Sequence, residues 1–239
     1  MEFAGLVKQS LIDYPDKIAA VVFTYGCNLR CPFCHNGHLL IKPSRQDKRA
    51  LFISEEEVLS FLHERRGFLD ALVITGGEPT LNPDLPRFIS RVKEDGFLVK
   101  LDTNGTNPDM LETLVESRLA DCIAMDIKAP LQWEAYARAC GSLTAELFMK
   151  IRNSVHMLVS SDIEVIFRTT VVPGLHTEKD IIEIARYIKG DKKYLLQQFN
   201  PENALRESYQ SIRPYEVKVL EDMALKCRPY VKEVIIANI

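Results

Sequence analysis

The chain has 239 residues, of which 46% are hydrophobic, and a formal net charge of −3; it is long enough for one α/β barrel-like domain or two small domains. That charge balance gives no reason to expect a general binder of nucleic acid or membrane surfaces. No run of about 18 uninterrupted apolar residues exists to span a bilayer, residues 1–20 carry Glu2, Lys8, Asp13, Asp16 and Lys17 where a signal peptide would be apolar, and six cysteines do not make a disulfide scaffold at this length, so a cytoplasmic protein is expected.

In chain order, KIAAVVFT (17–24) reads as a buried strand and runs into YGCNLRCPFCHN (25–36). KPSRQDKR (42–49) is a polar loop. SEEEVLSFLHERR (54–66) starts with Ser54 and Glu57 at capping-box spacing and continues with helical periodicity, so its acidic start reads as a solvated helix terminus and not a metal site. Then ALVIT (71–75) is a strand, LPRFISRVKED (85–95) a helix and FLVKLDT (97–103) a strand. PDMLETLVESR (108–118) is a helix with proline at its start, and DCIAMDIKA (121–129) is a strand. A helix over 144–160, the strand EVIFRTTVV (164–172) and the helix TEKDIIEIARYIK (177–189) follow. YLLQQF (194–199), PYEVKVLEDMALKC (214–227) and EVIIA (233–237) read as strand, helix and strand. Such alternation predicts a parallel sheet with right-handed crossovers. The chemically suggestive residues all follow strands: the cysteine loop, Gly76-Gly77-Glu78, Asp102-Thr103-Asn104-Gly105, Asp126 with Lys128, and Asn200. Sites in parallel α/β folds gather at the carboxyl ends of strands.

Cys27, Cys31 and Cys34 form C-x3-C-x2-C, three thiols within eight residues on a loop rich in Gly, Pro and Asn. That placement does not suit cysteines serving as small core residues. Structural zinc takes four ligands, often as two paired knuckles; His35 or His38 could supply a fourth, but Cys122, Cys140 and Cys227 are scattered and offer no second knuckle. An iron–sulfur cube held by three thiolates keeps one iron open, and an open metal position is a feature of catalysis. Cys122 reads as core, Cys140 and Cys227 as spare thiols, His63 and His156 as helix-surface or packing residues, and His176, in a loop, has no assigned role. Asp126 and Lys128, two apart on a strand, share a face. Arg168, mid-strand, needs a partner, either an acid or a ligand.

The cysteine loop with Phe33 before its third cysteine, TGGEP (75–79), LDTNG (101–105) and MDIK (125–128) together resemble the radical S-adenosylmethionine (SAM) enzymes, and among them the glycyl-radical-enzyme activases. The opening stretch FAGLVKQSLIDYPDKIAAVVFTYGCNLRCPFCHN is similar to the activating proteins of the anaerobic ribonucleoside-triphosphate reductase. The resemblance implies a partial (β/α)6 TIM-like barrel with an added terminal strand, forming a single domain over 1–239. It also implies one [4Fe-4S] cluster on Cys27, Cys31 and Cys34, and SAM on the free iron. One electron then yields methionine and a 5′-deoxyadenosyl radical, which takes a hydrogen atom from a glycine of a partner glycyl radical enzyme. The electron donor is of the flavodoxin or ferredoxin kind.

For SAM binding the resemblance implies Phe33, His35, Gly76, Gly77, Glu78, Asp126, Lys128, Arg168 and Asn200. His35 lies beside the adenine, Glu78 and the glycine backbone accept from the ammonium, Lys128 neutralises the carboxylate, and Asn200 stands where related activases place a ribose-contacting histidine. Asp102, Thr103 and Asp126 form a monovalent-cation site in some activases; an Asx-type turn into Asn104-Gly105 is the simpler reading of Asp102-Thr103. A radical SAM enzyme acting on a small molecule or another peptide, and a zinc-stabilised binding module, are the rival readings.

Overall fold

The computed structural model describes residues 1–47 and 51–238, so Lys48 and Arg49 of the polar loop lie outside the described residues. Five strands and three helices come first: β1 Glu2–Ser10, β2 Ala19–Thr24, β3 Ile53–Ser54, α1 Glu55–Glu64, β4 Ala71–Gly76, α2 Leu85–Glu94, β5 Leu98–Thr103 and α3 Pro108–Glu116. They are followed by β6 Cys122–Asp126, α4 Trp133–Cys140, α5 Ala145–Ser160, β7 Glu164–Val171, α6 Glu178–Tyr187, β8 Gly190–Gln198, α7 Glu207–Gln210, α8 Val217–Cys227 and β9 Val231–Ala237. From β2 to α8 the strand–helix unit repeats six times and β9 is the added terminal strand, which is the partial (β/α)6 TIM-like class.

Local chemistry sets the helix boundaries. Ser54 and Glu57 form the expected capping box at α1, and Thr177 with Asp180 forms a second at α6. Three elements lie outside the expected pattern. β1 pairs antiparallel with β2 and β3, and two register shifts along it break the alternation by which a strand is read. α4 has no side-chain N-cap bond and α7 has four residues, so neither carries a start signal. β6 stops at Asp126, which leaves Lys128 just past the strand.

The chain divides into two compact units, residues 1–28, 38–103 and 109–123, and residues 29–37, 104–108 and 124–239. In the first, the strand order is β3-β1-β2-β4-β5, with β2, β4 and β5 parallel. β2 and β4 are near-continuous apolar runs, as strands covered on both faces must be. The face of α2 formed by Leu85, Phe88, Ile89 and Val92 is sealed from solvent. Glu55, expected to be solvated, is instead buried, and its carboxylate accepts from Arg87 at 2.9 Å and Arg91 at 2.8 Å. In the second unit β7, β8 and β9 are parallel neighbours, and α5, α6 and α8 contribute Ile151, Val155, Ile181, Ile184, Leu220 and Met223 to the core.

The glycine pair after β4 serves the backbone. A Cβ on Gly76, whose φ is +112°, would lie 2.5 Å from the Thr24 nitrogen; one on Gly77 would lie 2.0 Å from the Gly26 carbonyl oxygen. Gly77 N–H donates to Thr24 O at 2.9 Å, and Glu78 N–H donates to Gly26 O at 2.7 Å. The absent side chains thus admit the backbone that leads into the cysteine loop. Gly77→Ala is expected to cost about 3 kcal/mol through a clash with backbone that has nowhere to move. Gly67→Ala, with φ +80° but nothing within 4 Å of its Cβ, is expected to cost about 1 kcal/mol. Urea unfolding of the two variants checks the difference.

Candidate functional site

In the first unit Cys27 follows β2 and is half-buried. Gly26 N–H donates to Leu39 O at 2.8 Å and Cys27 N–H to Leu40 O at 3.1 Å, and Gly26 itself has φ +87°. The first cysteine therefore stands on a backbone held by its own amides and by the glycine pair.

Glu78, expected to accept from a ligand ammonium, is fully sealed from solvent. Its Oε1 accepts from Thr80 N–H at 3.2 Å, Thr80 Oγ1 at 2.5 Å and Thr103 Oγ1 at 2.8 Å. It is an internal anchor between the turn Pro79–Leu81 and the end of β5, because a buried carboxylate must be hydrogen-bonded. Gly76 and Gly77 stay partly exposed. Asp102, expected to share a monovalent cation, is buried and paired with the ammonium of Lys100, two residues earlier on the same face of β5. The Thr103 hydroxyl donates to Glu78. The Asx turn lies one residue beyond these, where Asn104 Oδ1 accepts from Thr106 N–H at 2.9 Å.

In the second unit Cys31 is buried and Cys34 half-buried, with Cys34 N–H donating to Cys31 O at 3.0 Å. The loop is fastened by Arg206 N–H, which donates to Pro32 O at 3.0 Å. Phe33 is buried and meets the His176 ring edge-on at 6.4 Å.

Asp126 lies between two cations. Lys128 Nζ donates to its Oδ2 at 2.9 Å and Arg168 Nε to its Oδ1 at 2.8 Å, so the partner required for Arg168 is an acid. Burial works against the charged carboxylate, but Arg168 and Lys128 outweigh it and hold the Asp126 pKa down to about 2. Burial also opposes the Lys128 charge, and Asp126 with the thiols of Cys31 and Cys34 more than restores it, so its pKa is raised. Burial pushes the Cys34 thiol up, against the pull of Lys128. The Lys128 ammonium is within electrostatic reach of the thiols of both Cys31 and Cys34.

Residues without a sequence-based role fix Lys128 in place. Its N–H donates to the buried Tyr136 hydroxyl at 3.2 Å. His176, sealed from solvent, accepts from Val172 N–H at Nδ1, 2.9 Å away. Its Nε2 must then carry the proton, which it donates to Lys128 O at 2.8 Å. Burial lowers the His176 pKa and keeps the ring neutral for this task. Only the position of His176 between Pro173-Gly174 and the capping box of α6 hinted at a fixed place. His35 is exposed, and Asn200, also exposed, accepts from Glu202 N–H at 2.9 Å, which engages its carbonyl in a local turn. His63 and His156 are on the surface and Cys122 is in the core, as expected. Cys227 is a buried thiol pushed up to about 12 by burial. Cys140 is buried too, and its interaction with Cys31 is the main cause that lowers the Cys31 thiol pKa.

Among the described residues, no helix is long and apolar enough to cross a membrane. The alternating α/β fold and the three-thiol loop define a class of protein, and the family comparison agrees: residues 21–188 match the radical SAM superfamily, to which this chain belongs. Over 238 residues the chain is 37% identical to a Methanocaldococcus jannaschii protein named for glycyl-radical enzyme activation, covering 99% of this chain and 95% of the relative. It is 28% identical over 183 residues to the pyruvate formate-lyase-activating enzyme of Staphylococcus aureus, covering 71% of this chain and 68% of that one. SuiB of Streptococcus suis, solved with SAM bound, has the same fold, with a TM-score of 0.67 at 15% identity over 91% of this chain; this chain spans 50% of its length. Superfamily membership implies a [4Fe-4S] cluster and SAM as cofactors, and free thiols beside an ammonium are a donor set that fits a thiolate-bound cluster.

Asp126→Asn is expected to destabilise the fold by about 2 kcal/mol at neutral pH. Because the folded pKa lies below the ordinary carboxylate value of 3.8, that contribution is complete above about pH 4 and fades as the pH falls towards 2. Urea unfolding of wild type and variant across this window reads the convergence.

Proposed function

We propose that this chain is a radical SAM activase that takes a hydrogen atom from a glycine of a partner glycyl radical enzyme, and that the partner is an anaerobic ribonucleoside-triphosphate reductase. The observation that carries the SAM reading is the Asp126–Lys128–Arg168 group, which holds the Lys128 ammonium within electrostatic reach of Cys31 and Cys34. The activase reading draws on the relatives named for that activity. The choice of partner draws on the opening stretch through residue 36 and on nothing else.

Cys27, Cys31 and Cys34 are the residues to hold one [4Fe-4S] cluster. When bound, the cluster supplies one electron that splits the sulfonium C–S bond of SAM, giving methionine and a 5′-deoxyadenosyl radical. Lys128 neutralises the carboxylate of the methionine part. Each Asp126 oxygen already accepts one bond and keeps a lone pair for the ammonium, and the partly exposed backbone of Gly76 and Gly77 offers further acceptors. Arg168 acts through Asp126. Phe33 and His35 border the adenine, and the Asn200 amide is the group on hand for the ribose. Lys100 supplies the cation at Asp102, so a monovalent cation shared by Asp102, Thr103 and Asp126 has no part in this reading. Residues 1–239 work as one catalytic domain in the cytoplasm, reduced by a flavodoxin- or ferredoxin-like donor, without nucleic acid or membrane.

Lys128→Ala is expected to retain the cluster and to weaken SAM binding tenfold to a hundredfold, the effect of about 1.5–3 kcal/mol from a lost charge-assisted contact; equilibrium dialysis of the reconstituted protein measures it. The activase reading is tested by mixing with the reductase deuterated at the Cα of its glycines. Deuterium is expected in 5′-deoxyadenosine, together with a protein radical whose hyperfine splitting collapses on labelling. SAM cleavage without label transfer from any glycyl radical enzyme would replace this reading with a small-molecule radical SAM enzyme.

A further inference from the structure

Strands β7, β8 and β9 run parallel in a register that lines up their side chains in rows. Arg168 is opposite Leu195, and Leu195 opposite Ile235; two residues nearer the carboxyl ends, Thr170 is opposite Gln197, and Gln197 opposite Ala237. Register partners share a face of the sheet, so these six residues lie on the face from which Arg168 bonds Asp126. All six are half-buried, whereas Phe167, Thr169, Val171, Tyr194 and Leu196, which alternate with them, are sealed from solvent. The sealed face is satisfied: Thr169 Oγ1 donates to Ile127 O at 2.9 Å and accepts from the Tyr194 hydroxyl at 2.9 Å. On the half-buried face the Thr170 hydroxyl and the Gln197 side-chain amide have no hydrogen-bond partner among the described residues. Gln198, by contrast, donates from its side-chain amide to Tyr215 O at 2.6 Å.

We propose that Gln197 and Thr170 hold the main chain of the glycine-bearing segment on which the activase acts, and that Leu195, Ile235 and Ala237 form the floor under it. This rests on the proposed function for the identity of the substrate. A glycine offers no side chain to grip, so it is recognised by the N–H and C=O of the peptide groups on its two sides. A primary amide carries donors and an acceptor, and a hydroxyl carries both as well, so the pair matches a peptide group in either direction. Neighbouring strands are about 4.8 Å apart and an extended chain rises about 3.4 Å per residue, which spaces the two side chains to meet adjacent peptide groups of one segment. The same rows argue against a charged small molecule. Their one ionic group, Arg168, is already bonded to Asp126, and the other five residues are neutral. An uncharged main chain needs no counter-charge there.

The test compares the reconstituted wild type with Gln197→Leu and Thr170→Val, which keep the volume and lose the polar atoms, and with Gln197→Asn, which keeps the amide. Each is mixed with the reductase. The readouts are iron content, SAM affinity by equilibrium dialysis, the KM for the reductase, and the 5′-deoxyadenosine formed per protein radical. All four proteins are expected to carry the same iron and to bind SAM equally. In Gln197→Leu and Thr170→Val the KM for the reductase is expected to rise about fivefold to tenfold, the loss of one hydrogen bond, and more 5′-deoxyadenosine to be formed per radical. Gln197→Asn is expected to lie between these variants and wild type. An unchanged KM and product ratio in both Gln197→Leu and Thr170→Val overturn the proposal. A fall in SAM affinity with the KM for the reductase unchanged overturns it too, by making the pair a contact of SAM. If wild type forms no radical with any glycyl radical enzyme, the activase reading itself fails before a variant is compared, and this proposal falls with it.

Discussion

The second unit is organised by one half-buried negative charge. A carboxylate taken out of water must be compensated or it protonates. Asp126 is compensated twice, by Lys128 just past the end of its own strand and by Arg168 on β7. With the carboxylate neutral, two cations would face one another, one just past the end of β6 and one in the middle of β7. The hydroxyl of Tyr136 and the imidazole of His176 then hold the backbone of Lys128 from both sides. The Lys128 ammonium beside Cys31 and Cys34 is thus fixed by side chains from several separate stretches of the chain.

Three carboxylates at strand ends meet the same constraint in different ways. Glu78 accepts from two hydroxyls and an amide, Asp102 from the Lys100 ammonium, and Asp126 from two cations. Asp126 is bonded by two cationic side chains, and one of them, Lys128, reaches the thiols of Cys31 and Cys34 electrostatically. That reach ties Asp126 to the cysteine loop, whereas the contacts of Glu78 and Asp102 lie among the turns and strands of the first unit. It could not be read from TGGEP, LDTNG and MDIK, where all three acids look alike.

The strand and helix pattern was legible because its signals are local. Ser54 with Glu57, Pro108 and the apolar runs of β2, β4 and β7 each act within a few residues. The site was legible as far as residue type and spacing reach: three thiols on one loop, an acid and a lysine two apart, and an arginine in need of a partner. β1 was hidden by register shifts and α4 by the lack of a capping side chain. The pairing of Lys100 with Asp102 was missed because a lysine inside an apolar strand was passed over. Contacts made across long stretches of chain were out of reach altogether. Glu78 turns inward to Thr103, His176 reaches back to Lys128, and the Cys140 carbonyl accepts from Arg30 N–H, and no spacing rule encodes any of them.

The contact of Gly77 with the Gly26 carbonyl has an entropic consequence. Where two stretches of main chain abut with no side chain between them, neither has rotamers to lose. Most of the conformational freedom that a loop must surrender to grip a metal has already been given up at this point when the protein folds. Cys27 therefore meets incoming iron from a preorganised backbone, and cluster assembly at this cysteine is closer to docking onto a finished surface than to folding around a nucleus.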